Sequence, residues 1–191
     1  MTAFTTLSSD RVRLRRWRDA DRDAFAAMNA DARVMQFFAS CLGRVESDAM
    51  VDRIEEHFGN RGFGLWAVEV PGVAPFVGFA GLTVVTAPPF SARCIPCVEV
   101  GWRLAFEHWG HGYATEAARL ALGYAFGTLA LSEVVSFTSV TNLRSRAVME
   151  RLGMRRDPAD DFDHPKLPEN HPLRPHVLYR LGPNVAVDRL V

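Results

Sequence analysis

The chain predicts an α+β fold, a mixed and mostly antiparallel sheet with helices on both faces. Three observations lead there. Two apolar runs of strand length, residues 63–70 and 76–85, are separated by the turn pair Pro71-Gly72, as in a hairpin. Stretches with apolar residues three and four apart, as on one face of a helix, fall before and after these runs. The 191 residues carry no internal repeat and no linker-like stretch, which suits a single domain over 1–191 with a sizeable core.

Taken in order, residues 11–17 set Val12, Leu14 and then Trp17 among arginines, as a half-exposed strand does. Asp19 is placed to cap a helix running through Phe25 and Met28 to Ala30. Glu46 or Ser47 opens a second helix with Met50, Val51, Ile54 and Phe58 on one face, stopped by Asn60-Arg61-Gly62. The hairpin follows, and a Pro-rich loop from Thr86 to Pro96 leads into a strand ending at Leu104. After Gly112 comes a helix lined by Ala114, Ala117, Ala118, Ala121, Leu122 and Ala125, small enough to lie close on a sheet, with Gly127 as its stop. Residues 133–140 read as a strand, 142–152 as a helix and 176–181 as a last strand; 157–175 is a loop broken by prolines.

Bulk properties exclude several classes. Lys plus Arg and Asp plus Glu both number 22, so no net field draws the chain to nucleic acid or to a membrane surface, and neither is expected as a partner. Met1–Thr6 lacks the basic start and apolar core of a secretory signal, and the apolar stretch 70–90 is broken by Pro71, Pro75, Pro88 and Pro89, so a cytoplasmic protein is expected. Cys94-Ile95-Pro96-Cys97 runs into a strand, not a helix N-terminus that would lower a thiol pKa, and zinc would need two further ligands. Inert loop cysteines are the expectation. His164, His171 and His176 with Asp160, Asp161 and Asp163 match no metal template; a solvated acidic loop is expected, and no metal.

The segment Trp109-Gly110-His111-Gly112-Tyr113-Ala114-Thr115-Glu116-Ala117 sits where an extended run hands over to a helix. Two glycines flanking one residue aim backbone N–H groups at one point, with the positive end of the helix dipole behind them. That is an anion site, and a diphosphate suits it. A P-loop would need Lys and Ser/Thr after its glycine, which Gly112-Tyr113-Ala114 does not supply. A dinucleotide fold would need a third glycine where Thr115 stands, and an earlier position in the chain. A coenzyme A diphosphate and an ordinary strand–helix turn remain.

Two blocks carry a resemblance that covers nearly the whole chain. Segment 97–126 resembles the coenzyme-A-binding motif of the GNAT N-acetyltransferase superfamily, Gln/Arg-x-x-Gly-x-Gly/Ala, with Trp109, Gly112 and Ala114 at its three positions; Trp109 departs from the usual Gln/Arg. Trp-Gly-x-Gly-Tyr-Ala-Thr-Glu-Ala is similar to the RimJ/RimL-like branch. The run Thr141–Met154 resembles the superfamily's Asn-x-x-Ser helix that ends in Leu-Gly-Phe, with Met154 for the Phe. Arg11–Trp17 and His176–Leu181 fit the same pattern.

The resemblance implies a GNAT-like fold in which two parallel strands, here 98–104 and 134–140, splay apart around the pantetheine arm of acetyl-CoA. It implies direct attack of a primary amine, a protein N-terminus or a small molecule, on the acetyl group. Gly101, Trp102 and Leu104 would pair with the pantetheine amides, and Trp109, Gly110, His111, Gly112, Tyr113, Ala114 and Thr115 would hold the diphosphate, His111 facing solvent. Glu99, desolvated among apolar neighbours, suits taking a proton through water; it could instead pair structurally with Arg103 or Arg144. Many relatives place a Tyr acid where this chain has Met149, which cannot donate a proton; Ser145, one turn earlier, resembles the serine given that task in the RimJ/RimL-like branch. Asn142 and Ser145 could equally cap the helix and position the coenzyme. Phe37 and Phe38 fall where relatives wall the acceptor pocket, or are plain core. A non-catalytic acyl-CoA-binding module and an ATP- or NAD-dependent activity are the rival readings; a homodimer stays open.

Overall fold

The computed structural model describes residues 6–90, 93 and 96–183; Cys94 and Met1–Thr5 lie outside the described residues. In chain order the elements are β1 (Leu7–Ser8), β2 (Arg13–Arg15), α1 (Asp21–Ala30), α2 (Ala32–Met35), α3 (Arg44–Arg61), β3 (Leu65–Val70), β4 (Ala74–Val84), β5 (Val98–Leu104), α4 (Tyr113–Gly127), β6 (Val134–Ser139), α5 (Leu143–Arg151), β7 (Arg155–Arg156), β8 (Phe162–Asp163) and β9 (Pro175–Leu181). The strands form one sheet in the order β1-β2-β3-β4-β5-β6-β9-β7, with β8 also against β9. Every pairing is antiparallel except β5 with β6. This is the mixed, mostly antiparallel α+β sheet that the sequence predicts.

The α1 side and the α4 side of the sheet are distinct. Phe25 of α1 meets Phe79 of β4 edge to face at 6.1 Å, and Tyr124 of α4 meets Trp66 of β3 at 5.5 Å. Trp66, Phe25, Phe58, Leu14, Leu82 and Leu122 are fully buried between sheet and helices. Each contributes roughly 1.5–3 kcal/mol of transfer free energy. Arg15, itself buried, donates to both Asp21 oxygens at 2.7 and 2.8 Å and to Glu69 at 2.8 Å, tying β2 to α1 and β3.

Several boundaries differ from the sequence reading, each for a local reason. Helix α1 starts at Asp21, not at a cap on Asp19, because the Asp21 carboxylate accepts the Arg18 N–H at 2.8 Å and pairs with Arg15. Helix α3 starts two or three residues early, at Arg44, where Glu46 accepts the Gly43 N–H at 2.8 Å; Ser47 is buried under Asn29, whose amide donates to it at 2.9 Å. The run 11–17 is extended only over Arg13–Arg15. The acidic loop is not simply solvated: Asp160 pairs with Arg180 and Arg93, Asp161 with Arg156, and Asp163 with Arg174. Cys97 is buried beside Val135 and Leu178.

Candidate active site

The site begins with one parallel pairing. Among the described residues β5 meets β6 at a single register position, Glu99 opposite Val135, while β6 runs along β9 for its whole length. Beyond that point the two strands part. The edge of β5 from Val100 onward therefore has no strand beside it, and its outward amide and carbonyl groups open onto a fork. Gly101 and Trp102 lie along this edge. Leu104 ends the strand, and its carbonyl accepts the ring N–H of Trp109 at 2.8 Å.

Helices α4 and α5 both start where β5 and β6 end, at the open end of the fork. Gly110 and Gly112 have φ of +82° and +84°, so both positions need glycine for the backbone itself as well as for close approach. Among the described residues no protein acceptor takes the N–H groups of Gly110, His111, Gly112, Tyr113, Ala114 or Thr115, and the first turn closes only with Glu116 N–H to the Gly112 carbonyl at 3.1 Å. The result is a cluster of free donors at the positive end of a fifteen-residue helix. His111 is exposed, as expected, and stacks on Tyr113 at 5.5 Å.

Two arginines frame this turn. Arg11 donates to Glu116 and, at 3.3 Å, to the His111 carbonyl, bracing the turn from β2's side of the sheet. Burial works against the Glu116 charge, but hydrogen bonds from Ser9 and Arg11 outweigh it and hold the carboxyl below its usual range. Arg144, in the first turn of α5, lies over the Trp109 ring at 4.9 Å and pairs with no carboxylate among the described residues. Sequence reasoning offered Arg144 only as a partner for Glu99. Its place two residues after the Asn142 cap was the signal that it belongs at the helix mouth. Arg11 left no such signal, because its partner is 105 residues away.

Asn142 caps α5: its Oδ1 accepts the Ser145 N–H at 3.2 Å and its amide donates to Thr138 at 2.9 Å. Ser145 is half-buried, and among the described residues its hydroxyl has no protein partner. Met149, one turn on, is buried in the core. At the base of the fork, Glu99 pairs with neither Arg103 nor Arg144. Desolvation raises its carboxyl to about 8, although the side chain keeps a little solvent access. At neutral pH the group is largely protonated, and it gives up its proton near the pH at which amines begin to lose theirs.

On the same face as Glu99, Gly101 leaves open space and Arg103 follows. The Arg103 guanidinium donates to Asn29 at 2.6 Å and stacks on Phe38 at 4.0 Å. Phe38 is therefore brought to the strand that carries Glu99, whereas Phe37 is half-buried and joins no described ring contact at the site. Among the described residues no His/Cys/Asp/Glu cluster has the makings of a metal site, and no helix is long and apolar enough to cross a membrane.

Residues 11–155 match the acetyltransferase (GNAT) domain family. The chain belongs to the GNAT acetyltransferases. It is 30% identical over 155 residues to the uncharacterized protein YkkB of Bacillus subtilis, covering 81% of this chain and 87% of YkkB. It is also 42% identical over 95 residues to the FsC-acetyl coenzyme A-N(2)-transacetylase of Aspergillus fumigatus, but that match spans 49% of this chain and 39% of the fungal protein. Among solved structures, an acetyltransferase from Agrobacterium tumefaciens superposes with a TM-score of 0.73 at 28% identity, covering 95% of this chain and 96% of that one. A GNAT-family acetyltransferase from Bacillus anthracis shares the fold, with a TM-score of 0.75 at 21% identity over 94% of this chain and 99% of that one.

Proposed function

We propose that this GNAT acetyltransferase uses acetyl-CoA to acetylate a primary amine, with the amine attacking directly, in the manner of the RimJ/RimL-like branch. The observation that carries the reading is the alignment of three features along one fork: unsatisfied N–H groups at its mouth, an unpaired strand edge along its wall and a carboxyl near pKa 8 at its base. The residues present fit the coenzyme. Gly110–Thr115 with Arg144 would hold its diphosphate, and the edge around Gly101 and Trp102 its pantetheine amides. When bound, acetyl-CoA supplies an acetyl group activated as a thioester.

The protein's own residues handle protons. Glu99, as a carboxylate, takes a proton from the acceptor ammonium through water, and its raised pKa makes it a base suited to mildly alkaline solution. Ser145 Oγ, at the start of α5, is the proton source for the departing thiolate, and Asn142 fixes the backbone that carries it. Phe38 and the α1 side of β5 wall the acceptor. A single-domain, cytoplasmic protein is part of this reading.

Calorimetric titration with acetyl-CoA, with ATP and NAD as controls, tests it. Saturable acetyl-CoA binding that Gly112→Asp abolishes, followed by thiol release with amines, is the expected result; ATP or NAD binding in competition with coenzyme A would replace the reading with a nucleotide-dependent one. Met149, apolar and buried where many relatives have a Tyr, favours one alternative, a module that binds acyl-CoA without turnover. Tight binding with no thiol release from any amine would establish that alternative.

A further inference from the structure

Among the described residues the two most buried arginines, Arg15 and Arg180, each have two carboxylates. Arg103 does not. Among the described residues its guanidinium meets no acidic group, only the neutral Oδ1 of Asn29 at 2.6 Å and the rings of Phe38 at 4.0 Å and Phe79 at 5.4 Å. Its Nε is buried with no hydrogen-bond partner. Burial lowers its pKa to about 10, which still leaves it charged at neutral pH. A cation set in protein without a counter-ion is costly, and such costs persist where a ligand supplies the missing charge.

Its position says which ligand. Glu99, Gly101 and Arg103 follow one another on one face of β5, by the alternation of a strand. Gly101 keeps the space between them clear: an added Cβ there would meet only Glu99 Oε1, at 3.9 Å. The Cα atoms of Glu99 and Arg103 stand about 13 Å apart along the strand, and the Glu99 carboxyl reaches to the side of Gly101. Phe38, 42% exposed, closes over the guanidinium and pre-orders it.

We propose that the acceptor is an amine that also carries a carboxylate, with Arg103 receiving the carboxylate while the amine lies toward Glu99. This rests on the amine-acetylation reading above and narrows it. The pairing is bidentate in kind, guanidinium to carboxylate, and Phe38 holds the fork of N–H donors flat against it.

The test uses the full chain, acetyl-CoA and matched acceptors: γ-aminobutyrate against n-butylamine, and a peptide with Asp after its N-terminal residue against the same peptide with Asn. The wild-type protein should favour the carboxylate-bearing member of at least one pair by about tenfold or more in kcat/KM, and the pair that responds separates a free amino acid from an acidic peptide. Arg103→Met should erase that preference by raising KM for the carboxylate-bearing member, and Arg103→Lys should restore part of it. Equal use of both members by the wild type, or an equal fall for both in Arg103→Met, overturns the proposal. If Arg103→Met does not fold, inhibition of the wild type serves instead: butyrate should compete with the amine and butyramide should not, and equal inhibition by the two overturns it. Thiol release with no amine of either kind is a different result, since it removes the amine-acetylation reading itself.

Discussion

Glu99 and Asp21 are both enclosed carboxyls on this scaffold; Asp21 has a cationic partner among the described residues and Glu99 does not. Glu99 titrates near 8 instead of 4.5, so between those values the folded chain keeps a proton that the unfolded chain has released. Stability therefore falls as pH rises through that window, by roughly 1.4 kcal/mol per pH unit, and levels off above it. Glu99→Gln should flatten the slope, as read by urea unfolding at several pH values. In turnover, the alkaline rise of kcat/KM through about pH 8 should disappear in the same variant, measured with an amine of low pKa so that the acceptor's own ionisation does not supply the limb. Asp21 is the contrasting case, since it neutralises buried Arg15 and caps the Arg18 N–H. Asp21→Ala should cost about 3 kcal/mol in equilibrium unfolding, because the cation loses its main partner. Glu99 was legible in the sequence as a lone acid on an apolar strand. The isolation of Arg103 was not, because the absence of a counter-charge is a property of the packed neighbourhood and not of any local pattern.

At the scale of elements, the turn before α4 couples conformation to binding. An alanine at Gly112 must adopt φ of +84°, where an L-residue pays roughly 1–2 kcal/mol, and its Cβ would meet the Arg11 guanidinium at 3.5 Å. Gly112→Ala should thus lower the melting temperature by a few degrees and weaken acetyl-CoA binding about tenfold, both read on one preparation by calorimetry. Glu116→Gln should act more gently: the Arg11 side chain is more than half exposed, so stability should change by less than about 1 kcal/mol, while KM for acetyl-CoA should rise as the brace on His111 loosens. Helix α4 was readable almost to the residue, since glycines bound it and small residues mark its packed face. The starts of α1 and α3 were not, because groups in their first turns answer to partners outside the helix as well as to local caps: Asp21 to Arg15 and Ser47 to Asn29.

For the whole molecule, the sheet is two antiparallel leaves joined at one parallel position. A ligand that bridges the open part of the fork should stabilise the fold by about 2.7 kcal/mol at a hundredfold excess over its Kd. It should also slow amide exchange at residues 100–103 more than in β3 or β4, and mass spectrometry of exchanged peptides would check both the site and the order of protection. The splay itself follows from topology that no local pattern reveals: β9, from the end of the described chain, inserts between β6 and β7 and holds β6 along its full length while β5 is held by β4. The central glycine turn and the two parallel strands could be expected from the sequence; the place of Arg11 beside that turn could not, since its partner is 105 residues away. The open edge of β5 also divides labour within a single strand. Its main chain can hold a donor that never varies, and main-chain groups are the same whatever residue carries them. On the proposed reading its side chains are thereby left to specify the acceptor, so exchanging residues 38 and 103 should redirect this scaffold to new amines while its grip on the acetyl donor stays as it was.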